Sequence, residues 1–396
     1  MNMMTEPQDR PRPDTTQEYW AALDPEPPLY DVAALRQFVV NAVTAGASDV
    51  TLQTDQPPRC EIAGRQFRAG RRPLTPTEME TILIALYGAA SAPTLLAGRK
   101  VLDFSWSIAL SRSVTQRFRV NATGILARRG GAGIEITARA LPRETPTLEQ
   151  VGIPPDLLPL LSPPSGMVIV AGATGQGKST TLAAILREQF VRRVKIVDIQ
   201  APIEFAFTDI DTATRGGSSL GQSEVGTHIE SFADGVRSAL RRAPDILVIG
   251  EIRDSETARA AVDAAMTGHL VYTTIHAGDV PEIFRRFQAL LATESGERNA
   301  AVDILQTFKV GVAQRLLRSA VGLNRYPVRE MAVLAGDLRR TLTDSPPDQW
   351  PAISRRFLSS AEPGNPALRP YSRDLARLRA DGRVSEEEIA SLELDL

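Results

Sequence analysis

Eight residues constrain this chain more than any others: Gly172-Ala173-Thr174-Gly175-Gln176-Gly177-Lys178-Ser179 follows the apolar run Met167 to Ala171 and opens a segment of helical character. A strand that runs into a glycine-rich turn and then a helix is the P-loop arrangement. Its glycines let successive amides point inward at phosphate oxygens, and the helix N-terminus adds partial positive charge there. Lys178 is of the type and position to neutralise β- and γ-phosphates, and Ser179 to hold magnesium. Gly172 to Thr180 is therefore the expected nucleotide-binding segment, with a nucleoside triphosphate and Mg2+ as its expected ligands.

Around this turn the sequence repeats one theme, an apolar strand delivering a polar residue at its C-terminal end, where open parallel sheets bind their ligands. Ile246 to Ile249 leads through Gly250 to Glu251, whose carboxylate suits magnesium, directly or through its water, or activation of an attacking water. Leu270 to Ile275 leads to His276, which suits a hydrogen bond to the γ-phosphate or that water; a histidine there is also often a satisfied structural residue. Val194 to Ile199 leads to Ala201-Pro202-Ile203-Glu204, where Glu204 is either a second candidate base or an acidic loop residue after proline. Upstream, Arg117-Phe-Arg119-Val-Asn121 alternates, with Phe118 and Val120 on a core face and both arginines opposite, either as an exposed charged strand face or as a source of charge for phosphates.

The rest of the sequence bounds the architecture. Its 396 residues exceed what one core usually organises. Residues 1–30 hold six prolines and six acidic against two basic side chains, a composition expected to stay a flexible arm. Residues 31–141 mix a helical pattern from Asp31, a strand at Asp49 to Gln53 and a helix at Thr77 to Tyr87, which predicts a small α+β domain. Seven prolines between Pro142 and Pro164 predict a linker over 142–165. Alternating strands and helices over 166–340 predict a parallel α/β domain, and 341–396 reads as an extension ending in a helix after Ser385, which stands at capping-box spacing from Glu388.

Composition excludes several classes. With 45 basic and 47 acidic side chains and a formal net charge of -2, direct nucleic-acid binding is not expected. One cysteine, Cys60, forms no intramolecular disulfide, and with three histidines it supplies no zinc-ligand cluster. No apolar run reaches a membrane-span length, so a reducing, cytoplasmic setting with membrane recruitment only through partners is expected.

Taken in order, these segments resemble the secretion ATPase superfamily of PilT and GspE type. The P-loop, the Pro-Ile-Glu of the family's Asp box, the run Arg-Arg-Ala-Pro-Asp-Ile-Leu-Val-Ile-Gly-Glu251-Ile-Arg-Asp, the Thr-Gly-His to His276 box and Arg-Phe-Arg-Val-Asn carry the likeness. Gly46 to Thr54, Gly221-Gln-Ser-Glu-Val225 and Phe232 to Arg242 are similar to the branch of DotB in Dot/Icm type IVB secretion and TraJ in conjugative plasmid transfer. The resemblance implies a PAS-like domain ahead of a RecA-like P-loop ATPase domain, in a homo-hexamer that hydrolyses ATP to drive an inner-membrane secretion or transfer complex and its coupling proteins. It implies that Ser179 and Glu251 arrange magnesium, that Glu251 and Glu204 arrange the attacking water, that His276 senses the γ-phosphate, and that Arg119 and Arg139 supply charge from the first domain. Many relatives carry two acids before the Asp-box proline; here Gln200 and Ala201 stand there, so Glu204 is expected to carry that box alone. A pilus-retraction ATPase, an ATP-gated assembly factor without sustained hydrolysis, and a RecA-like nucleic-acid translocase, which the overall charge opposes, are the competing readings.

Overall fold

The computed structural model describes residues 19–62, 65–111, 114–210, 216–320 and 325–395. The chain divides into two compact units between Arg143 and Glu144.

The first unit contains α1 (Val32–Thr44), β1 (Ala47–Gln53), β2 (Arg59–Ile62), β3 (Arg65–Arg68), α2 (Pro76–Tyr87), α3 (Ala92–Ala97), β4 (Leu102–Ala109), β5 (Thr115–Leu126) and β6 (Ala132–Ala140). Its six strands form an antiparallel sheet in the order β3-β2-β1-β6-β5-β4. Local chemistry sets the helix ends. Asp31 Oδ1 accepts from Ala34 N at 2.8 Å to start α1. Thr75 and Glu78 form a reciprocal capping box at the start of α2, and Gly88 ends it in the left-handed region. Phe38, Val39, Ile82 and Leu83 from the helices share one buried core with Val50, Leu52, Phe118, Val120 and Ile136 from the strands.

The arm expected over residues 1–30 needs correction where it is described. Residues 1–18 lie outside the described residues, but residues 19–30 are strapped onto the first unit. Trp20 N donates to Arg68 O at 2.9 Å, Asn41 Nδ2 to Ala22 O at 2.8 Å, and Tyr30 N to Glu78 Oε1 at 2.7 Å. Trp20, Ala22 and Tyr30 join the core. Average composition concealed a few large apolar side chains that find partners only in three dimensions.

The second unit contains β7 (Gly166–Ala171), α5 (Lys178–Gln189), β8 (Lys195–Gln200), β9 (Ser219–Glu224), α6 (Phe232–Leu240), β10 (Ile246–Ile249), α7 (Ser255–Met266), β11 (Leu270–Ile275), α8 (Val280–Ser295), α9 (Glu297–Thr307), β12 (Phe308–Arg318), β13 (Arg325–Val333), α10 (Gly336–Thr343), α11 (Trp350–Ser359), β14 (Leu368–Arg369), α12 (Tyr371–Ala380) and α13 (Glu386–Asp395), with the one-turn helix α4 (Leu158–Leu161) before them. Its sheet runs β14-β13-β12-β7-β11-β10-β8-β9, parallel from β12 to β9 and antiparallel where β13 pairs with β12 and β14. Strands β7, β10 and β11 are buried along their whole length, as expected for a parallel sheet covered on both faces. Met167, Ile169 and Ala171 face a core built with α7 to α9, whereas Val168 faces the core of α5.

Two boundaries differ from expectation. Of the segment read as linker, Leu148, Val151, Ile153, Leu157 and Leu161 are buried in the α5 core; prolines prevent long regular elements there but do not prevent packing. Residues 341–396, read as an extension, do end in a helix, but the extension packs into the second unit, with Trp350, Leu358, Leu375 and Ile389 buried in the core on the other face. Ser385 Oγ accepts from Glu388 N at 3.3 Å, but the Glu388 carboxylate goes to Arg318 N at 3.1 Å rather than back to the cap.

Candidate functional site

Because β7, β11, β10 and β8 are parallel neighbours, their C-terminal ends converge, and the sequence has loaded each end with a different polar group. Strand β7 gives way to the glycine turn, in which Gly175 and Gly177 take φ of 76° and 74°, values that side chains rarely adopt. Gly177 caps α5, so Lys178, Ser179 and Thr180 form its first turn. Ala173, Thr174 and Gly175 are exposed, while Gln176 to Thr180 are half-buried. Lys178 Nζ folds back onto Gly172 O at 2.8 Å and Ala173 O at 3.0 Å. Burial lowers its pKa, while the charges of Glu251 and Glu204 act the other way.

Glu251 leaves the end of β10 through Gly250. Its Oε2 accepts from Arg253 Nε at 2.7 Å. His276, the residue after β11, brings Nε2 to 2.8 Å from Glu251 Oε1. The contact is at ion-pair distance without forming a hydrogen bond, and among the described residues buried Oε1 has no hydrogen-bond donor. Burial is the main force that lowers the His276 pKa, followed by the nearby Lys178 charge, with Glu251 opposing. The imidazole is thereby biased towards its neutral form, which can donate from one nitrogen and accept at the other.

Glu204 lies beyond the end of β8, with Ser179, Asp198, Gln200, Gly250 and Thr274 around one small cavity. A Cβ on Gly250 would meet Gln200 Oε1 at 2.6 Å and Gln200 Cα at 3.3 Å, so glycine there lets the Gln200 side chain pack against the turn. Asp198 is the residue that the sequence reading missed. It is 1% exposed, accepts from Gln200 Nε2 at 2.7 Å and Gln222 Nε2 at 2.8 Å, and burial pushes its carboxyl up to about 6. Its signal was a single acid inside an apolar strand. Glu204 is thus not the only carboxylate beside Ser179. Arg253, the clamp on Glu251, was likewise unassigned, although it sits two residues further along the same segment.

A buried carboxylate oxygen without a donor, a serine at a helix N-terminus and a lysine fit magnesium held jointly with phosphate. Among the described residues no group of three or more His, Cys, Asp or Glu forms a metal cage by itself.

Arg119 and Arg139 belong to the first unit, apart from this cluster in the chain. They face each other directly across β5 and β6. Arg139 Nε donates to Asp49 Oδ1 at 2.7 Å, and Asp49 is its register partner on β1. His269 sits at the opposite end of β11 from His276, where its Nδ1 is 3.0 Å from Ala264 O.

Residues 116–347 match the family model described as Type II/IV secretion system protein. The type IV pilus ATPase PilU of Pseudomonas aeruginosa is 31% identical over 304 residues, 75% of this chain and 75% of PilU. The X-ray structure of the Legionella pneumophila ATPase DotB is similar at 32% identity and a TM-score of 0.79, covering 98% of this chain and 99% of DotB. A crystal structure of the pilus retraction motor PilT with bound ADP is similar at 26% identity and a TM-score of 0.75, covering 90% and 95% of the two chains. The smaller antiparallel unit, the parallel P-loop unit and a family match across more than half of the sequence lead to one assignment: the chain belongs to the Type II/IV secretion system protein family, among the secretion and pilus ATPases.

Proposed function

We propose that this chain is a cytoplasmic homo-hexameric motor that hydrolyses ATP to power a type IVB secretion or conjugative transfer apparatus. One observation carries the hydrolytic part: Glu251 presents a buried oxygen with no donor among the described residues, flanked by His276 and Arg253, at the same strand ends as Lys178 and Ser179. Gly172 to Thr180 bind the phosphates, Lys178 giving up its contacts with Gly172 O and Ala173 O to do so. Ser179 and Glu251 hold magnesium, which when bound draws charge from the phosphate oxygens. Glu251 accepts the proton of the attacking water, with Glu204 as the second carboxylate of the site. Neutral His276 donates towards the γ-phosphate and reports its presence. Arg119 and Arg139 supply positive charge to a neighbouring subunit's site.

Similarity to DotB over nearly the whole length of both chains supports the type IVB branch and, with it, recruitment to an inner-membrane complex and its coupling proteins. Similarity to PilU and PilT favours pilus retraction as the second reading.

Phosphate release measured across a size-exclusion profile tests the motor. Activity that peaks with a ring-sized species and disappears in Lys178→Ala and Glu251→Gln supports it. ATP binding without turnover in any species would leave an ATP-gated assembly factor instead. In a host strain lacking the protein, lost conjugative transfer or protein export supports the type IVB branch, whereas accumulation of unretracted pili supports the second reading.

A further inference from the structure

Behind the P-loop lies a chain of buried polar side chains that the reaction itself does not use. Gln314 on β12 donates from Nε2 to Gln176 O at 2.6 Å, and its Oε1 accepts from Thr181 Oγ1 at 2.6 Å and from Arg329 Nε at 2.7 Å. Gln176 answers with its own side chain, whose Oε1 accepts from Leu316 N at 2.6 Å. The fit against the loop is close: a Cβ on Gly177 would meet Gln314 Nε2 at 2.9 Å. Arg329, on β13, carries the connection onward. Its Nη2 donates to Val151 O at 2.6 Å and to Thr181 Oγ1 at 3.1 Å, and its Nη1 to Gly152 O at 3.3 Å.

Val151 and Gly152 belong to the first stretch of the second unit after the unit boundary at Arg143. That stretch has a second tie to the P-loop helix. Thr145 Oγ1 donates to Asp209 Oδ1 at 2.7 Å, and Arg187 of α5 donates to Thr145 O at 2.9 Å and to Asp209 Oδ2 at 2.8 Å. Burial lowers the Arg329 pKa to about 10, with Asp374 opposing and Arg377 and Arg369 adding to the fall, so the guanidinium is charged at neutral pH. A buried cation that serves only packing is costly to keep; this one has its donors spent on the P-loop side and on the carbonyls of the connecting stretch.

We propose that Gln314 and Arg329 are positioning residues that couple occupation of the P-loop to residues 145–153, the stretch through which the first unit is joined. The proposal rests on nucleotide binding at Gly172 to Thr180. Phosphate that draws Lys178 and the loop inward moves Gln176 O and Thr181, the two points that Gln314 holds. Arg329 then transmits the change to Val151 and Gly152, because its planar fork cannot follow one set of acceptors and keep the other.

The test is amide hydrogen exchange of the full chain with and without ADP, and with a slowly hydrolysed ATP analogue, with nucleotide affinity measured separately. Nucleotide should slow exchange over 145–153 by about tenfold, in the range of ordinary coupling between sites. Gln314→Glu keeps an oxygen that can accept from Thr181 Oγ1 and Arg329 Nε but loses the donor to Gln176 O; it should bind nucleotide and lose the response. Arg329→Lys leaves Gln314 on the P-loop and shortens the reach to Val151 and Gly152; it should lose the response too, which keeps the test open if one variant does not fold. A wild-type chain that binds nucleotide without altered exchange at 145–153 overturns the relay and leaves the proposed function standing, as does either variant that binds nucleotide and keeps the response. Absence of nucleotide binding in the wild type overturns both.

Discussion

Glu251 Oε1 and His276 Nε2 stand 2.8 Å apart, although the two residues come from different strands of the sheet. Arg253 holds the other carboxylate oxygen at 2.7 Å, so Glu251 is fixed in orientation while one oxygen stays open to a new donor. Glu251→Gln keeps the shape and removes the proposed base. Turnover should fall by about 10²- to 10⁴-fold with ATP binding retained, read by phosphate release beside a nucleotide-binding titration. Turnover within a few-fold of the parent chain would remove Glu251 from the reaction.

Lys178 sits among loop carbonyls, with the charges of Glu251 and Glu204 close enough to act on it. Lys178→Ala deletes the one flexible cation of the P-loop and should weaken ATP binding roughly 10- to 100-fold, the scale of a lost charge-assisted hydrogen bond. Unchanged affinity for ATP in that variant would contradict the phosphate-binding role.

Arg119 and Arg139 are cross-strand partners, but Arg139 is engaged by Asp49. Among the described residues no ion pair is formed by Arg119, which makes it the better candidate for the proposed donation of charge to another subunit. Arg119→Ala should lower turnover by about 10³-fold, the lower end of an arginine finger, with Arg139→Ala less severe. Mixing Arg119→Ala with Lys178→Ala chains should restore part of the activity, since intact sites then form between subunits. No recovery on mixing would argue against charge supplied in trans.

Glu330 is 3% exposed, and its Oε1 accepts from Val280 N at 2.9 Å. Burial pushes its carboxyl up to about 7, with Asp279 acting in the same direction and Arg355 and Arg315 against it. A carboxyl raised in the fold adds stability that is full below its unfolded value near 4.5 and is lost as pH rises through about 7. Glu330→Gln should therefore gain on the parent chain between pH 5 and pH 8, by up to about 3 kcal/mol. Thermal melts at both values check it; an equal Tm difference at the two pH values would refute the assignment.

Trp350 is 1% exposed, packs edge-on against Phe284 at 6.1 Å and donates from Nε1 to Leu342 O at 2.9 Å. Trp350→Ala should cost about 3–5 kcal/mol, read by chemical denaturation. A loss below about 0.5 kcal/mol, the ordinary scale of a surface change, would mean that residues beyond 341 do not share the core.

Much of the second unit was legible because its signals are local. Strands β7 and β10 are continuous apolar runs and β11 is broken only by Thr273 and Thr274, the pattern of buried parallel strands. The P-loop was legible because its backbone needs glycine at fixed positions. Polar edge strand β9, with alternating exposure, and the hairpin of β12 and β13 gave no such signal, since they are defined by what they pair with. The strapping of residues 19–30 was hidden for the same reason: Trp20 and Tyr30 sit among prolines and acids, and only the core they enter gives them meaning.

The sequence by itself determined which groups stand at which strand ends: Lys178 and Ser179 after β7, Glu251 after β10, His276 after β11 and Glu204 after β8. Tertiary structure alone decided which of them touch. It set Glu251 against His276 and Arg253, brought Asp198 to the wall behind Ser179, and joined Gln314 to Arg329 and the carbonyls of Val151 and Gly152. The physical reason is that motifs encode backbone conformation over a few residues, whereas contacts between strands depend on sheet order and register, which no single segment contains.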